Sequence, residues 1–305
     1  FIDILSPFSD RIKSMRSPSI ELKWEARQRL TFIEATLVWS GEISTNDLSE
    51  AFGIGRAQAS KDLAFYREHW PGNIAYNRSR KRYVPTSDFS PGLVTGKPDE
   101  FLRFARNSVS GQRGAVILPF PSVVVLDVPA SPIDVRTLQT LNRAIRRQTA
   151  VTITYRSMSG KPEATYTLSP HTLVHNGFRW HVRGFSEQHG EYRDFVLSRM
   201  TSLPGDVSAD YIADTGDRDW HNILELELIP HPGLNKRQRE IIETDYGMTG
   251  GALKIEQRAA LLPYLLRLMR IPTTAMPDNP KAHPVVIKNR GVVETFIDYG
   301  TRNST

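Results

Sequence analysis

The hydrophobic rhythm of the first part of the chain is helical, interrupted twice and then replaced by strand. Leu22, Ala26, Leu30, Ile33, Leu37 and Val38 recur at three- and four-residue steps. That spacing predicts a long amphipathic helix over 21–40, stopped by Gly41. Ser44, with Asp47 three residues on, reads as a capped helix start. Leu48, Ala51 and Phe52 give that short helix its inner face, and Gly53 its turn. Gly55 and Arg56 open a third helix to about His69, with Ala59, Leu63 and Tyr66 at helical spacing, broken by Pro71-Gly72. Ile74-Ala75-Tyr76 and Tyr83-Val84 predict two short strands joined by the basic tip Asn77 to Arg82.

Beyond residue 85 the pattern loosens. A helix is expected over 99–108, and Pro119, Pro121, Pro129 and Pro132 punctuate the rest as a linker would. A helix over 134–148, with Val135, Leu138, Leu141 and Ile145 on one face, leads into five predicted strands. These fall at 150–157, 164–169, 171–175, 178–185 and 192–200, with Asn176-Gly177 as a hairpin turn between the third and fourth. Five short strands with tight turns suggest a small barrel. After Pro204 the order becomes strand 222–229, helix 235–246, strand 252–256, helix 258–270 and strand 284–288, an α/β-type module. The fold class expected is α+β multidomain, divided at 1–90, 91–133, 134–204 and 205–305. A length of 305 residues accommodates that division.

Composition narrows the function classes. No apolar run reaches the ~18–20 residues a membrane helix needs, and no secretory leader is visible in a chain that starts at Phe1. Cysteine is absent. This removes disulfides, thiolate metal sites and cysteine nucleophiles, and fits a cytoplasmic protein. The net charge of +6 is uneven: residues 1–133 hold 17 Lys/Arg against 14 Asp/Glu, 134–204 hold 10 against 5, and 205–305 hold 12 against 14. A polyanionic partner is expected for the front and middle. There is no G-x-S-x-G, H-E-x-x-H or phosphate-binding glycine loop, so neither an enzyme nor a cofactor is expected.

Long helix, short helix, tight turn, helix and basic hairpin is the order of a winged helix-turn-helix. The helix opening near Gly55 then enters a major groove, and Arg56, Gln58, Ser60 and Lys61 supply its hydrogen-bonding groups. Ala57 and Ala59 are small enough for close approach. Arg67, further along, suits a phosphate. Arg78, Arg80, Lys81 and Arg82 at the wing suit phosphate or the minor groove. The alternative for these side chains is a merely solvated face.

In the middle segment, alternation groups Arg179, His181, Arg183 and Phe185 on one face of a strand. It groups Arg193, Phe195, Leu197 and Arg199 on one face of the next. Cations mixed with aromatics suit a nucleotide or a nucleic-acid end, and Tyr155, Ser157 and His171 add hydrogen-bonding groups. The alternative is a solvated sheet face paired with Glu187, Glu191 and Asp194. His171, His175 and His181 are close in sequence, but no carboxylate completes a ligand set, so no metal site is expected.

The winged helix followed by this five-stranded unit resembles the bacterial WYL-domain transcriptional regulators. Of the family's Trp-Tyr-Leu run, this chain keeps only the tryptophan, in Trp180-His181-Val182. The strings Ser169-Pro170-His171-Thr172-Leu173-Val174, Arg179 to Gly184 and Tyr192 to Arg199 are similar to one branch, the phage-defence-associated repressors of the BrxR and CapW type. The resemblance implies a Sm/SH3-like WYL barrel, a C-terminal dimerisation extension, an inverted-repeat operator on double-stranded DNA and repression of a defence operon. It also implies a nucleotide or nucleic-acid effector bound near Tyr155, His171, Arg179, His181, Arg183, Arg193 and Arg199. Residue pattern alone leaves open a nucleic-acid-binding accessory subunit of a defence or repair complex. The helix rich in Leu261, Leu262, Leu265, Leu266 and Met269 is either core or dimer surface.

Overall fold

The structure is a computed structural model that describes residues 22–110, 123–126, 129, 131–158, 162–202, 210–273 and 277–302. Pro119, Pro121 and Pro204 lie outside the described residues. The chain divides into two units, Phe1–Asp127 and Val128–Thr305.

The first unit holds α1 (Trp24–Ser40), α2 (Thr45–Phe52), α3 (Arg56–His69), the antiparallel pair β1 (Ile74–Asn77) and β2 (Arg82–Pro85), and α4 (Pro98–Ser110). The expected start of α2 is a full capping box. The Ser44 hydroxyl accepts from the Asp47 amide, and the Asp47 carboxylate accepts from the Ser44 amide at 2.7 Å. Leu30, Ile33 and Leu37 of α1, Leu48 of α2 and Leu63 and Tyr66 of α3 form one core. One carboxylate sits inside it. Glu34 is fully buried and accepts from the Tyr66 hydroxyl at 2.7 Å and from the amides of Leu93 and Val94. A buried charge is tolerated only when so satisfied, and here it fastens the segment after the wing back onto the helices. Trp39 of α1 continues that seam by packing on Phe101 and Phe104 of α4.

The second unit opens with α5 (Val135–Arg147) and a sheet of β3 (Val151–Tyr155), β4 (Ala164–His175), β5 (Trp180–Ser186), β6 (Glu191–Val196) and β7 (Met200–Ser202). The antiparallel order is β6-β5-β4-β3-β7. Leu141 and Ala144 of α5 close over Val151, Ile153, Leu168, Val182 and Phe195. The five strands form one antiparallel sheet; among the described residues β6 and β7 do not pair with each other but follow one another through a 3₁₀ turn at Leu197–Arg199.

Two strand boundaries differ from expectation. The stretches 164–169 and 171–175 are one strand, β4, with a bulge between Pro170 and Thr172. Proline has no N–H to give a ladder and is accommodated where the ladder is broken. The stretch 192–200 is two strands, because a 3₁₀ turn at Leu197–Arg199 redirects the chain to β3.

The remainder of the unit is α6 (Arg218–His221), β8 (Ile223–Pro230), α7 (Lys236–Asp245), β9 (Leu253–Arg258), α8 (Leu262–Leu268), β10 (Val285–Ile287) and α9 (Arg290–Arg302). The sheet order is β10-β8-β9. Leu262 and Leu266 are fully buried against Leu224, Leu226 and Leu228 of β8, with Leu265 and Met269 partly buried beside them. The leucine-rich face of α8 is therefore core, not dimer surface. No helix among the described residues is long and apolar enough to cross a membrane.

Opposite the β4 bulge stands Gly184. A Cβ there would lie 2.5 Å from the Ser169 carbonyl oxygen and 2.8 Å from the Pro170 Cα. Both are backbone atoms, which cannot swing aside. Gly184→Ala is expected to cost about 3 kcal/mol through overpacking, read as a lower thermal midpoint; an unchanged midpoint would mean that the two strands do not approach this closely.

Candidate nucleic-acid interface and anion pocket

In α3, Ala59, Asp62, Leu63 and Tyr66 are buried, which leaves Arg56, Ser60, Lys61 and Arg67 on one exposed arc with Ala57 and Ala64. Ala57 faces outward as expected. Ala59 does not: it is fully buried, because the helix turns that position into the core. Arg56 donates to the Asn46 amide oxygen of α2 at 2.9 and 3.1 Å, which steadies it at the helix start. Gln58 is exposed but at the arc's flank, donating to Asp62 at 3.0 Å; Asp62 in turn is held by Arg29 at 2.6 Å.

The wing tip is built on Asn77, whose side-chain oxygen accepts from the Arg80 amide at 3.0 Å and the Ser79 hydroxyl at 2.8 Å. Arg78, Arg80 and Lys81 project into solvent, with Arg80 within 3.5 Å of Glu42. Arg82 is different. It donates to Asp47 at 2.9 Å and pairs with Glu42 at 3.3 Å, tying the base of the wing to the start of α2. Its charge is already matched, so the tip presents three cations rather than four.

The second unit contains a cavity of about 560 Å³ between the five-stranded sheet and α8. Of the residues expected to bind a ligand, Tyr155, Arg179, His181 and Arg199 line it. Asp194, Tyr264 and Arg267 line it too. Arg199 reaches it because the 3₁₀ turn breaks the strand alternation that would have placed it elsewhere. Among the described residues neither Arg179 nor Arg199 is paired with a carboxylate, and Arg179 lies 5.1 Å from the Phe178 ring centre. His181 is 5% exposed, and among the described residues its Nδ1 has no hydrogen-bond partner within bonding distance. Burial, opposed by Asp194 and by a backbone hydrogen bond with Arg179 and reinforced by the charges of Arg179 and Arg199, lowers its pKa to about 4. The imidazole is thus neutral at ordinary pH, with an unused nitrogen.

Arg183 stands on the same face of β5 but does not open to the cavity as a free cation. It is 2% exposed, donates to Asp217 at 2.7 and 2.8 Å and to Asp194 at 3.2 Å. His171, aimed by the bulge, meets the same Asp217 at 3.1 Å. On Asp217, burial would raise the pKa, but the hydrogen bonds of His171 and Arg183 and the arginine's charge bring it down to about 2. Asp194 also accepts from the Tyr264 hydroxyl of α8 at 2.8 Å. His171, Asp217, Arg183, Asp194 and Tyr264 therefore form one continuous polar chain from the bulge to α8.

Arg193 and Phe195 do not join this face. The register pairs Arg183 with Asp194 and His181 with Val196, so Tyr192, Asp194 and Val196 share the side of His181. Arg193 and Phe195 point to the other. Phe195 packs edge-on against Tyr155 in the core, and Arg193 pairs with Glu191 at 2.5 Å. Ser157 follows β3 and is not among the residues lining the cavity. Sequence reasoning missed Tyr264 and Arg267 as site residues; the signal was that they are the polar positions on a helix whose other face is leucine. Asp217, in a short connector, carried none.

Three segments match described families. Residues 25–107 match the BrxR transcriptional regulator winged helix-turn-helix domain, 136–204 the WYL domain, and 223–293 the BrxR transcriptional regulator C-terminal dimerization domain. The chain is 33% identical over 285 residues to the DNA-binding transcriptional repressor CapW of Stenotrophomonas maltophilia, covering 92% of this chain and 95% of that protein. It is 35% identical over 282 residues to CapW of Escherichia coli strain KTE188, covering 90% and 93%. Among solved structures, proteasome accessory factor B/C of Arthrobacter aurescens aligns with 90% of this chain and 46% of its own, at a TM-score of 0.27 and 13% identity.

The buried groups make the second unit acid-sensitive in two steps. His181 goes from 6.5 to about 4 on folding, so the unfolded chain takes up a proton first. The stability it contributes is whole above pH 6.5 and is lost as pH falls towards 4. Asp217, lowered from 3.8 to about 2, contributes stability that is lost only across that lower range. Each tenfold difference in proton affinity is worth about 1.4 kcal/mol. His189, also held below its ordinary value by burial and by Arg193, adds to the upper limb. Urea midpoints across pH are expected to decline from 6.5 to 4, and His181→Asn to flatten that decline in part while sparing the limb below 4. A wild-type midpoint that is level between 6.5 and 4 would refute the buried neutral imidazole.

Proposed function

Because the chain belongs to the CapW family of DNA-binding transcriptional repressors, we propose that it is a homodimeric repressor whose α3 enters the major groove of an inverted-repeat operator. The observation that carries this reading is the solvent-facing arc of Arg56, Ser60, Lys61 and Arg67 on a helix followed by a wing tipped with Arg78, Arg80 and Lys81. Ser60 and Lys61 are the base-reading candidates. Arg67 and the wing tip take phosphates. Gln58 reaches a base only by leaving Asp62, and Arg82 acts by bracing the wing. The match to a dimerization domain over 223–293 supports a two-fold dimer, and two-fold symmetry pairs naturally with two half-sites.

The cavity of the second unit is the effector site in this reading. Its size suits a nucleotide-sized ligand, and Arg179 and Arg199 supply charge for a phosphate. His181 Nδ1 is a buried polar atom that a ligand would satisfy. His171 and Arg183 support the site from behind through Asp217 and Asp194. Control of a phage-defence operon is proposed from the resemblance to regulators of that type.

Footprinting on DNA upstream of the protein's own gene tests the reading. A protected inverted repeat is the expected result; protection without symmetry, or none, would overturn it. Replacing Arg78, Arg80 and Lys81 together by alanine is expected to weaken binding to every DNA sequence. It should also reduce the slope of log K against log salt by about 0.9 for each phosphate that the wing no longer neutralises. An unaltered slope would remove the wing from the interface.

A further inference from the structure

The cavity is not made by the WYL sheet alone. Its far wall is α8, which belongs to the segment matching the dimerization domain and supplies Tyr264, Arg267 and Leu268. We propose that α8 is both part of the anion site and its output: an anionic ligand held jointly by Arg179 and Arg199 on one side and Arg267 on the other shifts α8 against β6, and the Tyr264–Asp194 hydrogen bond is the strut that resists this shift. The inference rests on the repressor reading above and specifies how its effector acts.

Three features carry it. First, the cations that face the cavity come from both sides, so one anion between them bridges the sheet and α8. Second, the two ends of the strut differ in firmness. Asp194 is anchored by Arg183, which is itself clamped by Asp217. Tyr264 rests on the anchored end through one 2.8 Å hydrogen bond and a tilted ring contact with His181 at 4.9 Å. When the two parts move, the tyrosine side yields. Third, the opposite face of α8 is Leu262 and Leu266, both fully buried in the core of the C-terminal sheet. A close-packed interior passes a displacement on rather than absorbing it. The Asn176-Gly177 turn also abuts this helix. Gly177 has φ +90°, and a Cβ on it would lie 2.9 Å from Leu268 Cδ1.

The test measures release of fluorescent operator DNA by the full-length dimer, titrated with 5′-phosphorylated single-stranded oligothymidylate, with thymidine monophosphate and with inorganic phosphate. These arms separate a strand end from a free nucleotide and from a bare anion. Each variant's operator affinity without probe is its own reference. Arg267→Ala is expected to raise the half-release concentration of the effective probe roughly tenfold or more, as for loss of a charged hydrogen bond. Tyr264→Phe is expected to lower it roughly tenfold or more, because the strut, a hydrogen bond to a charged group, is gone. Arg267→Lys, which keeps the charge, should fall between wild type and Arg267→Ala and serves if the alanine variant does not fold. Opposite shifts support the proposal; a general loss of stability moves both variants the same way. If a probe releases wild-type protein but both variants match it or shift in one direction, α8 is not the output and the effector reading stands. If no probe binds or releases wild-type protein, the effector reading itself fails, and this inference with it.

Discussion

The second unit depends on one buried cation. Arg183 is almost entirely removed from water, which for an isolated guanidinium would be prohibitive. It is tolerated because Asp217 receives two of its N–H groups and Asp194 a third. That requirement organises the surroundings. Asp217 must be delivered from the connector after the sheet, and its carboxylate also caps the short α6 by accepting from the Trp220 amide at 3.1 Å. β4 and β5 must approach closely, so position 184 has no side chain and β4 bulges opposite it. The bulge then turns His171 onto Asp217. Removing one partner from such a group typically costs about 3–5 kcal/mol, so the cluster acts as a fixed point rather than a moving part.

The first unit solves a comparable problem with the opposite charge. Glu34 lies in the middle of α1 among apolar neighbours and is satisfied by a hydroxyl from α3 and two amides from beyond the wing. A carboxylate that must find three donors specifies where those donors are. The same double use appears at the surface, where Asp47 serves both the capping box of α2 and Arg82 at the wing base. One carboxylate thus sets the helix start and the direction of the hairpin, leaving Arg78, Arg80 and Lys81 to project.

Much of this was legible in the sequence, and the parts that were not share a cause. Helical spacing located α1 to α3; α2 and α3 each bury one face, whereas α1 is buried on nearly every side from Leu30 to Leu37. The wing and the Asn176-Gly177 turn were legible because their signals are local too. The cations of β5 were also found by local alternation. What alternation within one strand does not contain is the register with its neighbour. Arg193 and Phe195 looked equivalent to Arg179 and His181 until the pairing of Arg183 with Asp194 put them on opposite faces. Arg183 itself looked like a ligand group because its carboxylates are 11 and 34 positions away. Tyr264 and Arg267 were marked in the sequence only as the polar positions of a leucine-rich helix, and that marking does not say what packs on them. α9 was not anticipated, although Val292, Val293, Phe296 and Ile297 recur at helical steps within Arg290–Arg302.

The magnitudes separate anchor from switch. Coupling between an effector and a distant binding event commonly amounts to about 1–3 kcal/mol. A cluster worth more than that cannot be made and broken by a ligand of ordinary affinity, so the Arg183 clamp is ill suited to move. A single hydroxyl–carboxylate hydrogen bond contributes about 1.5–3 kcal/mol, which is the size a coupling of this kind requires. Tyr264 has that bond, sits on the helix whose other face is the core of the C-terminal sheet, and borders the one described cavity that combines Arg179, Arg199 and Arg267. The polar chain from His171 to Tyr264 is therefore graded, rigid where it is buried deepest and yielding at the end that meets α8. Under the proposal above, an effector would need to overcome only that last link for its charge to be felt in the segment that matches a dimerization domain.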